Sequence, residues 1–163
     1  FTGSGTLDND TEARGAIVGL SLTTDRTQLA RAFLESSGFE LAKITAAFLN
    51  AGVDIGEVRA VGSGSTNRAA LDIRATASGI ALTPADGSAA TRGAALVAGV
   101  GAGLFPDLRS LSRMDAGPAA PASAPDPRHA AWYDRQRAAF GELYLALRPI
   151  NRSLSEHKET TEP

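Results

Sequence analysis

An α/β layered fold is what the sequence predicts, on three observations. Short apolar runs rich in β-branched residues alternate with longer segments of helical periodicity, and glycines or capping residues stand at the joints between them. The later helical segments are also built largely of alanine and glycine, small enough to lie close against a sheet. The order is strand, long helix, strand, helix, strand, helix, which fits neither a helical bundle nor an all-β protein.

The first fourteen residues are rich in Gly, Ser, Thr, Asn and Asp and read as a loop. Gly15 to Leu20 is glycine-flanked and β-branched at its centre, the pattern of a brief buried strand. Thr23, Thr24 and Asp25 offer oxygens to cap a helix that runs to Asn50, where Asn50-Ala51-Gly52 stops it. Ala30, Leu34, Leu41, Ile44 and Phe48 form its apolar stripe, while Gln28, Arg31, Glu35 and Lys43 fall mostly elsewhere. Gly38 costs the helix about 1 kcal/mol relative to alanine, so close packing or a bend is expected there. Glu57 to Val61 reads as a strand, and Arg68 to Ser78 as a helix ended by Gly79, with Ala69, Ala70, Ala75 and Ala77 giving it a thin face. Ile80 to Thr83 reads as a strand stopped by Pro84, followed by a turn through Asp86 and Gly87. A small-residue helix then runs from Ala89 to Ala102 and is expected to pack tightly through Gly93, Ala94, Ala95, Ala98 and Gly101.

Composition changes after Phe105-Pro106. Asp115 to Pro127 holds four prolines and five alanines, the make-up of an extended linker with no core of its own. A last helix, Arg128 to Leu147, carries an aromatic stripe through Tyr133, Phe140 and Tyr144 that should dock on the domain; Pro149 ends it, and Ser153 onward reads as disordered. The domain plan is a main unit over 1–114, a linker over 115–127, a docking helix over 128–150 and a tail over 151–163.

The 163 residues, 43% apolar and 21% charged, suffice for one sizeable core. A net charge of −2 without a basic cluster argues against nucleic acid or a membrane surface as partner, leaving small molecules and proteins. With no cysteine there is no disulfide framework or thiolate chemistry, which fits a reducing compartment. His129 and His157, both in late segments, make a histidine metal site unexpected. The longest apolar run, Ala94 to Phe105, is too short for a bilayer and carries three glycines, and the first ten residues lack the pattern of a secretory leader. Phe1 in place of a methionine suggests a piece of something longer.

The stretch with a claim to ligand chemistry is Val61-Gly62-Ser63-Gly64-Ser65-Thr66-Asn67. It leaves a strand and opens a helix, so its glycines would let a ligand approach the backbone where a helix directs free N–H groups. Such turns are punctuation more often than sites, and this one gains weight only from its surroundings.

Those surroundings resemble the C-terminal part of the FGGY carbohydrate kinases, most closely the xylulokinase-like members. The family's run of Leu-x-Gly-Glu-Arg-x-Pro, Asp-Pro-x-Ala-Arg-Gly, Gly-Leu and Arg-Ala-x-Leu-Glu is matched in step by Gly3, Thr6, Asp10, Ala13-Arg14-Gly15, Gly19-Leu20, Arg26 and Arg31-Ala32-Phe33-Leu34-Glu35. Its Gly-Gly-Gly-Ser-Lys-Ser loop is similar to Gly62 through Asn67, its Gly-Ala-Ala helix to Gly93-Ala94-Ala95, and its Tyr-x-x-Leu-x-Pro signature to Tyr144 through Pro149. The resemblance implies an actin-like ATPase (ribonuclease H-like) fold, of which this chain is the C-terminal half in a two-domain sugar kinase. It further implies ATP and Mg²⁺ as cofactors, a sugar or polyol as phosphoryl acceptor, and a cytoplasmic setting. The catalytic aspartate, the sugar site and the first phosphate loop belong to the half before this chain, so the resemblance assigns no catalytic residue here and makes the isolated chain inactive. On the adenosine side it points to Gly62, Ser63 and Gly64 as backbone contacts, with Ser65 beside them. Asn67 stands where relatives place a Ser or Asn facing purine or ribose, against a plain helix cap as its structural alternative. For Arg14 and Arg26 a structural ion pair outweighs a phosphate contact.

The chain departs from the family at Ser4-Gly5 for Glu-Arg, Ser63 for glycine, Thr66 for a basic residue, Ala70 for an aromatic and Ser88 for glutamate. Ser63 requires a negative φ if it is to sit without strain. These departures support an alternative, a catalytically inactive kinase-like domain serving as a binding or oligomerisation module, with a homodimer left open. A chaperone-type actin-like ATPase fits the Ala-Arg-Gly and Leu-Arg-Pro signatures less well.

Overall fold

The computed structural model describes residues 7–85, 88–112 and 120–159, and it is helix-rich α/β. Helix α1 spans Arg26–Asn50 and β1 Val58–Ala60; α2 follows over Arg68–Ser78 and β2 over Leu82–Pro84. Helices α3 (Ala89–Gly101), α4 (Leu108–Ser112) and α5 (Ala130–Glu159) complete the chain. Strands β1 and β2 are parallel, with Val58 opposite Leu82 and Ala60 opposite Pro84, so β1-α2-β2 is a βαβ unit.

The caps explain where the helices begin and end. Asp25 accepts from Gln28 N at 2.8 Å while Gln28 Oε1 accepts from Asp25 N at 2.9 Å, a reciprocal capping box that starts α1. Gly79 closes α2 in the left-handed conformation at φ 74°, as its sequence position predicts. Gly38 is where α1 meets α2. A Cβ there would stand 2.8 Å from Ala77 Cβ and 2.9 Å from Arg74 O, so the glycine is required by close approach of the two helices and not by a bend.

Two small clusters make the core. Leu71, Ala75 and Leu82 seal α2 on the sheet, with Leu41, Val58, Ala60 and Ile80 around them; Phe39, Ala77 and Tyr133, joined by Phe140, bring α1, α2 and α5 together. Tyr133 and Phe140 of the aromatic stripe of α5 dock as core, their ring centroids 6.1 and 5.3 Å from that of Phe39, while Tyr144 is half-buried and donates its hydroxyl to Asp10 Oδ2 at 2.8 Å.

Several expectations are corrected. Gly15 to Leu20 forms no strand and is exposed, because no described neighbour offers it a ladder. The buried positions of α1 are Glu35, Gly38 and Phe39; Ala30 and Phe48 are exposed. Ala69 likewise faces solvent, leaving Ala70, Ala75 and Ala77 as the thin face of α2. Pro84 ends β2 from within, at a strand terminus where a missing N–H is tolerated. Gly93, Ala94, Ala95, Ala98 and Gly101 of α3 stay exposed, and Gly99 instead lies against the Phe105 ring, since smallness permits close packing only where something is present to pack. Of the linker, residues 120–127 have a place in the core region: Ser123 is fully buried and exchanges two backbone hydrogen bonds with Leu82, at 3.0 and 2.8 Å. Arg68 holds that segment by donating to the carbonyls of Pro121 (2.7 Å) and Ala122 (3.0 Å).

Pro149 does not end the last helix. It lies inside α5, which continues to Glu159, so 151–159 is helical where a disordered tail was expected. Proline forfeits one intrahelical bond and crowds the preceding turn. The far half is fastened from outside, with Asn151 buried and Ser155 Oγ accepting from Arg14 Nη2 at 2.9 Å. The expected turn at Asp86 and Gly87, the loop at 1–6 and the linker's first part at 115–119 lie outside the described residues.

Candidate functional site

In parallel α/β sheets, the carboxyl ends of the strands are where loops turn away from the layer and leave a crevice. Here the Gly62–Asn67 loop stands at the carboxyl end of β1, and Ala85 at that of β2. Gly62 has φ 83°, a backbone that L side chains avoid, and no atom lies within 4 Å of where a Cβ would point. The glycine is therefore needed for the turn itself, and it leaves open space beside the backbone. Ser63 to Ser65 form one 3₁₀ turn, a conformation of negative φ, so serine in place of the family's second glycine carries no strain.

The five predicted residues divide by role. Gly62 and Gly64 present backbone, Gly64 on the exposed side. Ser65 turns inward: it is buried, its hydroxyl donates to Gly62 O at 2.7 Å and to Ala85 O at 3.2 Å, and its N–H closes the turn on Gly62 O at 3.0 Å. That residue holds the loop to the end of β2. Asn67 is the N-cap of α2, its Oδ1 accepting from Ala70 N at 3.1 Å. The cap uses the amide oxygen. Asn67 itself is exposed, at the outer rim of the loop.

Arg74 lies outside the loop motif yet contacts the loop. Two turns into α2, it donates from Nε to Ser37 Oγ of α1 at 3.0 Å and reaches Gly64 O with Nη1 at 3.4 Å. Its signal was its spacing: Asn67 and Arg74 are seven apart, the same face of a helix. Ala70, where the family carries an aromatic, is buried, and an alanine offers the loop no ring. Arg14 is bonded to a hydroxyl of α5, and Arg26 is exposed in the first turn of α1, so neither lies in the loop.

No three His, Asp or Glu side chains converge as metal ligands among the described residues. No described helix is long and apolar enough to cross a membrane. A network of hydrogen bonds around a buried carboxylate lies elsewhere, at Glu35. Tyr133 donates its hydroxyl to Glu35 Oε1 at 2.6 Å, and Arg31 donates to the same oxygen at 2.7 Å and to Tyr133 Oη at 3.1 Å. Burial first, and then the bond to Glu35, raise the Tyr133 hydroxyl above its ordinary range.

Comparison with known proteins gives the loop its context. The model of the FGGY family of carbohydrate kinases, C-terminal domain, matches residues 1–102. Glycerol kinase from Alkalilimnicola ehrlichii is 37% identical over 106 residues, covering 64% of this chain and 21% of that protein. Glycerol kinase from Thermus brockianus is 38% identical over 120 residues, 71% of this chain and 24% of its own. Among solved structures, xylulose kinase from Rhodospirillum rubrum aligns with a TM-score of 0.64 at 30% identity, over 87% of this chain and 28% of that one. A kinase from Brucella ovis, described as a xyloylose kinase, aligns at 0.70 and 28% identity, over 88% and 29%. The chain thus spans between 21% and 29% of these relatives. A match over more than half of the chain, with the sugar-kinase fold shared by its structural neighbours, establishes that the chain belongs to the FGGY family of carbohydrate kinases.

Proposed function

We propose that this chain is the adenosine-holding part of an ATP-dependent carbohydrate kinase, acting with a catalytic half that it does not contain. The observation that carries the reading is the Gly62–Asn67 loop: an open left-handed glycine, a negative-φ serine turn and a capped helix N-terminus, gathered where a parallel sheet leaves its crevice. The backbone at Gly62 to Gly64 would face the ligand, Asn67 would offer the donor side of its amide to purine or ribose, and Ser65 with Arg74 would keep the loop in shape. Bound ATP supplies the transferred phosphoryl group. Mg²⁺ is commonly held by nucleotide phosphates and waters with one or two carboxylates, so this chain need not provide a ligand cluster. The acceptor is a sugar or polyol recognised by the other half, and relatives named for both glycerol and xylulose leave its identity to that half. ATP supply places such a kinase in the cytoplasm.

Titration of the ¹⁵N-labelled chain with ATP into the millimolar range tests the reading. Amide shifts are expected to concentrate at 62–70, and Gly62→Val is expected to weaken binding by about tenfold, since it forces the turn out of its left-handed conformation. Shifts spread elsewhere, or none at millimolar ATP, would transfer support to the catalytically inactive binding module that the substitutions at Thr66 and Ala70 suggest.

A further inference from the structure

A positive charge stands beside the Gly62–Asn67 loop without a negative partner. Arg31, Arg68 and Arg137 each meet a carboxylate, at Glu35, Asp72 and Asp134, whereas Arg74 bonds to neutral oxygens alone among the described residues. Its Nε donates to Ser37 Oγ at 3.0 Å and its Nη1 to Gly64 O at 3.4 Å. The Ser37 hydroxyl gives its own proton to Leu34 O at 2.7 Å, which leaves its lone pairs to accept from Arg74. Two bonds from two nitrogens of one planar group, to α1 on one side and to the loop on the other, fix the plane as well as the position. The backbone of Arg74 is fixed too, since its carbonyl oxygen lies 2.9 Å from where a Gly38 Cβ would stand, in the close seam of α1 and α2. The space beside the guanidinium is open. Apart from chain neighbours, a Cβ on Gly64 would meet Arg74 Nη1 at 3.6 Å and no other described atom within 4 Å, and one on Gly62 would meet none.

We infer that the guanidinium of Arg74 is the surface on which the base of the bound nucleotide stacks, an assignment that rests on the nucleotide reading of the loop. A planar cation attracts the π face of an aromatic ring, and most strongly where water is displaced and no carboxylate neutralises the charge. Both anchors of Arg74 lie in the guanidinium plane, so they occupy its edges and leave its face uncovered. Phosphate is the other group such a charge could take, and two features decide against it. A phosphate is gripped by two nitrogens along one edge, and each of those edges already has a nitrogen engaged, on Ser37 or on Gly64. The phosphates must also lead away to the half that holds the acceptor, whereas Arg74 is half-buried at a helix seam inside this chain, where a flat base gains from leaving water. The family's loop motif ends at Asn67, so the assignment falls on a residue seven positions beyond it.

The test reads Arg74 directly. In the ¹⁵N-labelled chain titrated with ATP, the Nε–H resonance of Arg74 should move upfield through shielding by the purine ring, and inorganic tripolyphosphate should leave it in place. ATP should bind about tenfold more tightly than UTP, whose smaller ring covers less of the plane. Arg74→Lys keeps the charge and loses the plane. It should weaken ATP by about tenfold, abolishing the preference over UTP, and change UTP and tripolyphosphate by less than about twofold. An Arg74 Nε–H that stays in place while amides at 62–70 respond to ATP would overturn the inference and leave the nucleotide reading standing. So would a Lys variant that weakens ATP and UTP equally, the mark of a residue that only shapes the loop, or one that keeps full ATP affinity, the mark of a contact made by charge alone. The wild-type resonance needs no variant, so it decides the case if Arg74→Lys does not fold. No response to ATP anywhere in the chain would remove the nucleotide reading and this inference with it.

Discussion

Tyr133 shows how far a single hydroxyl can set the behaviour of a helix packed a hundred residues earlier in the chain. Tyr133 is 1% exposed, and its Oη donates to Glu35 Oε1 and accepts from Arg31 Nη2. The Tyr133→Phe variant keeps the ring and removes the donor, leaving the buried carboxylate to Arg31 alone; a loss of about 1–3 kcal/mol at neutral pH is expected. The pH dependence has a definite sign. A hydroxyl whose folded pKa is raised stays protonated in the native state after the unfolded chain has lost its proton, so its contribution is intact below about pH 10 and is lost as pH rises through the folded value. Tyr144 is raised as well, first by its bond to Asp10, and it falls in the same window. Urea melts between neutral and strongly alkaline pH should therefore show the wild type losing stability above about pH 10, and Tyr133→Phe losing less over that interval. An equal alkaline slope in both proteins would remove Tyr133 from the account. None of this was legible in the sequence. Periodicity sees one helix at a time and placed Glu35 away from the apolar face; its burial depends on a partner 98 residues on. Asn67, by contrast, was legible as a helix cap, because a cap is a local arrangement of a few consecutive residues.

Elements were read well where their ends are local and poorly where their faces are decided from afar. Asp25, Gly52 and Gly79 announce helix ends through side-chain oxygens and left-handed glycines, and α2 begins and ends at the residues its sequence indicated. Pro149 misled for the same reason: its local cost is real, but anchoring at Asn151 and Ser155 comes from other parts of the chain. Gly38 joins the two levels. The sequence marks it as anomalous in a helix, and the structure supplies the reason in Ala77 Cβ and Arg74 O. Substitution Gly38→Ala sets two effects against each other, a gain of about 1 kcal/mol in helix propensity and overpacking of about 1–3 kcal/mol against a backbone atom that cannot rotate away. Overpacking should win, because α1 and α2 would have to separate along their contact. Thermal unfolding followed by circular dichroism is expected to show a lower Tm for Gly38→Ala, and a raised Tm would mean that the helices slide apart at little cost. The shift should be accompanied by weaker ATP binding if the proposed site is correct, since Arg74 links that contact to Gly64.

For the whole molecule, the family match and the folding unit do not share a boundary. The matched region ends at residue 102, and the candidate loop lies entirely within it. Yet one of the two core clusters is closed by Tyr133 and Phe140, both from α5, and the far edge of β2 is paired by Ser123. Ser123, Tyr133 and Phe140 thus belong to the core although the proline-rich composition of 115–127 suggested a separable attachment; what composition could not show is that Arg68 and Leu82 carry the bonds that seat residues 121–123. Deleting everything after Ser112 would uncover Phe39 and Ala77, leave Glu35 with Arg31 as its remaining partner, and strip Leu82 of two backbone bonds. Removing one large buried aromatic costs about 3–5 kcal/mol, and a domain is stable by only about 5–15 kcal/mol in total. The chain truncated after Ser112 is therefore expected to lose cooperative unfolding even though it retains every residue that the family model matches and the whole Gly62–Asn67 loop. A sigmoidal urea transition of undiminished midpoint in the truncated chain would show instead that α2 and the sheet fold without α5, and would return the core to the first cluster alone.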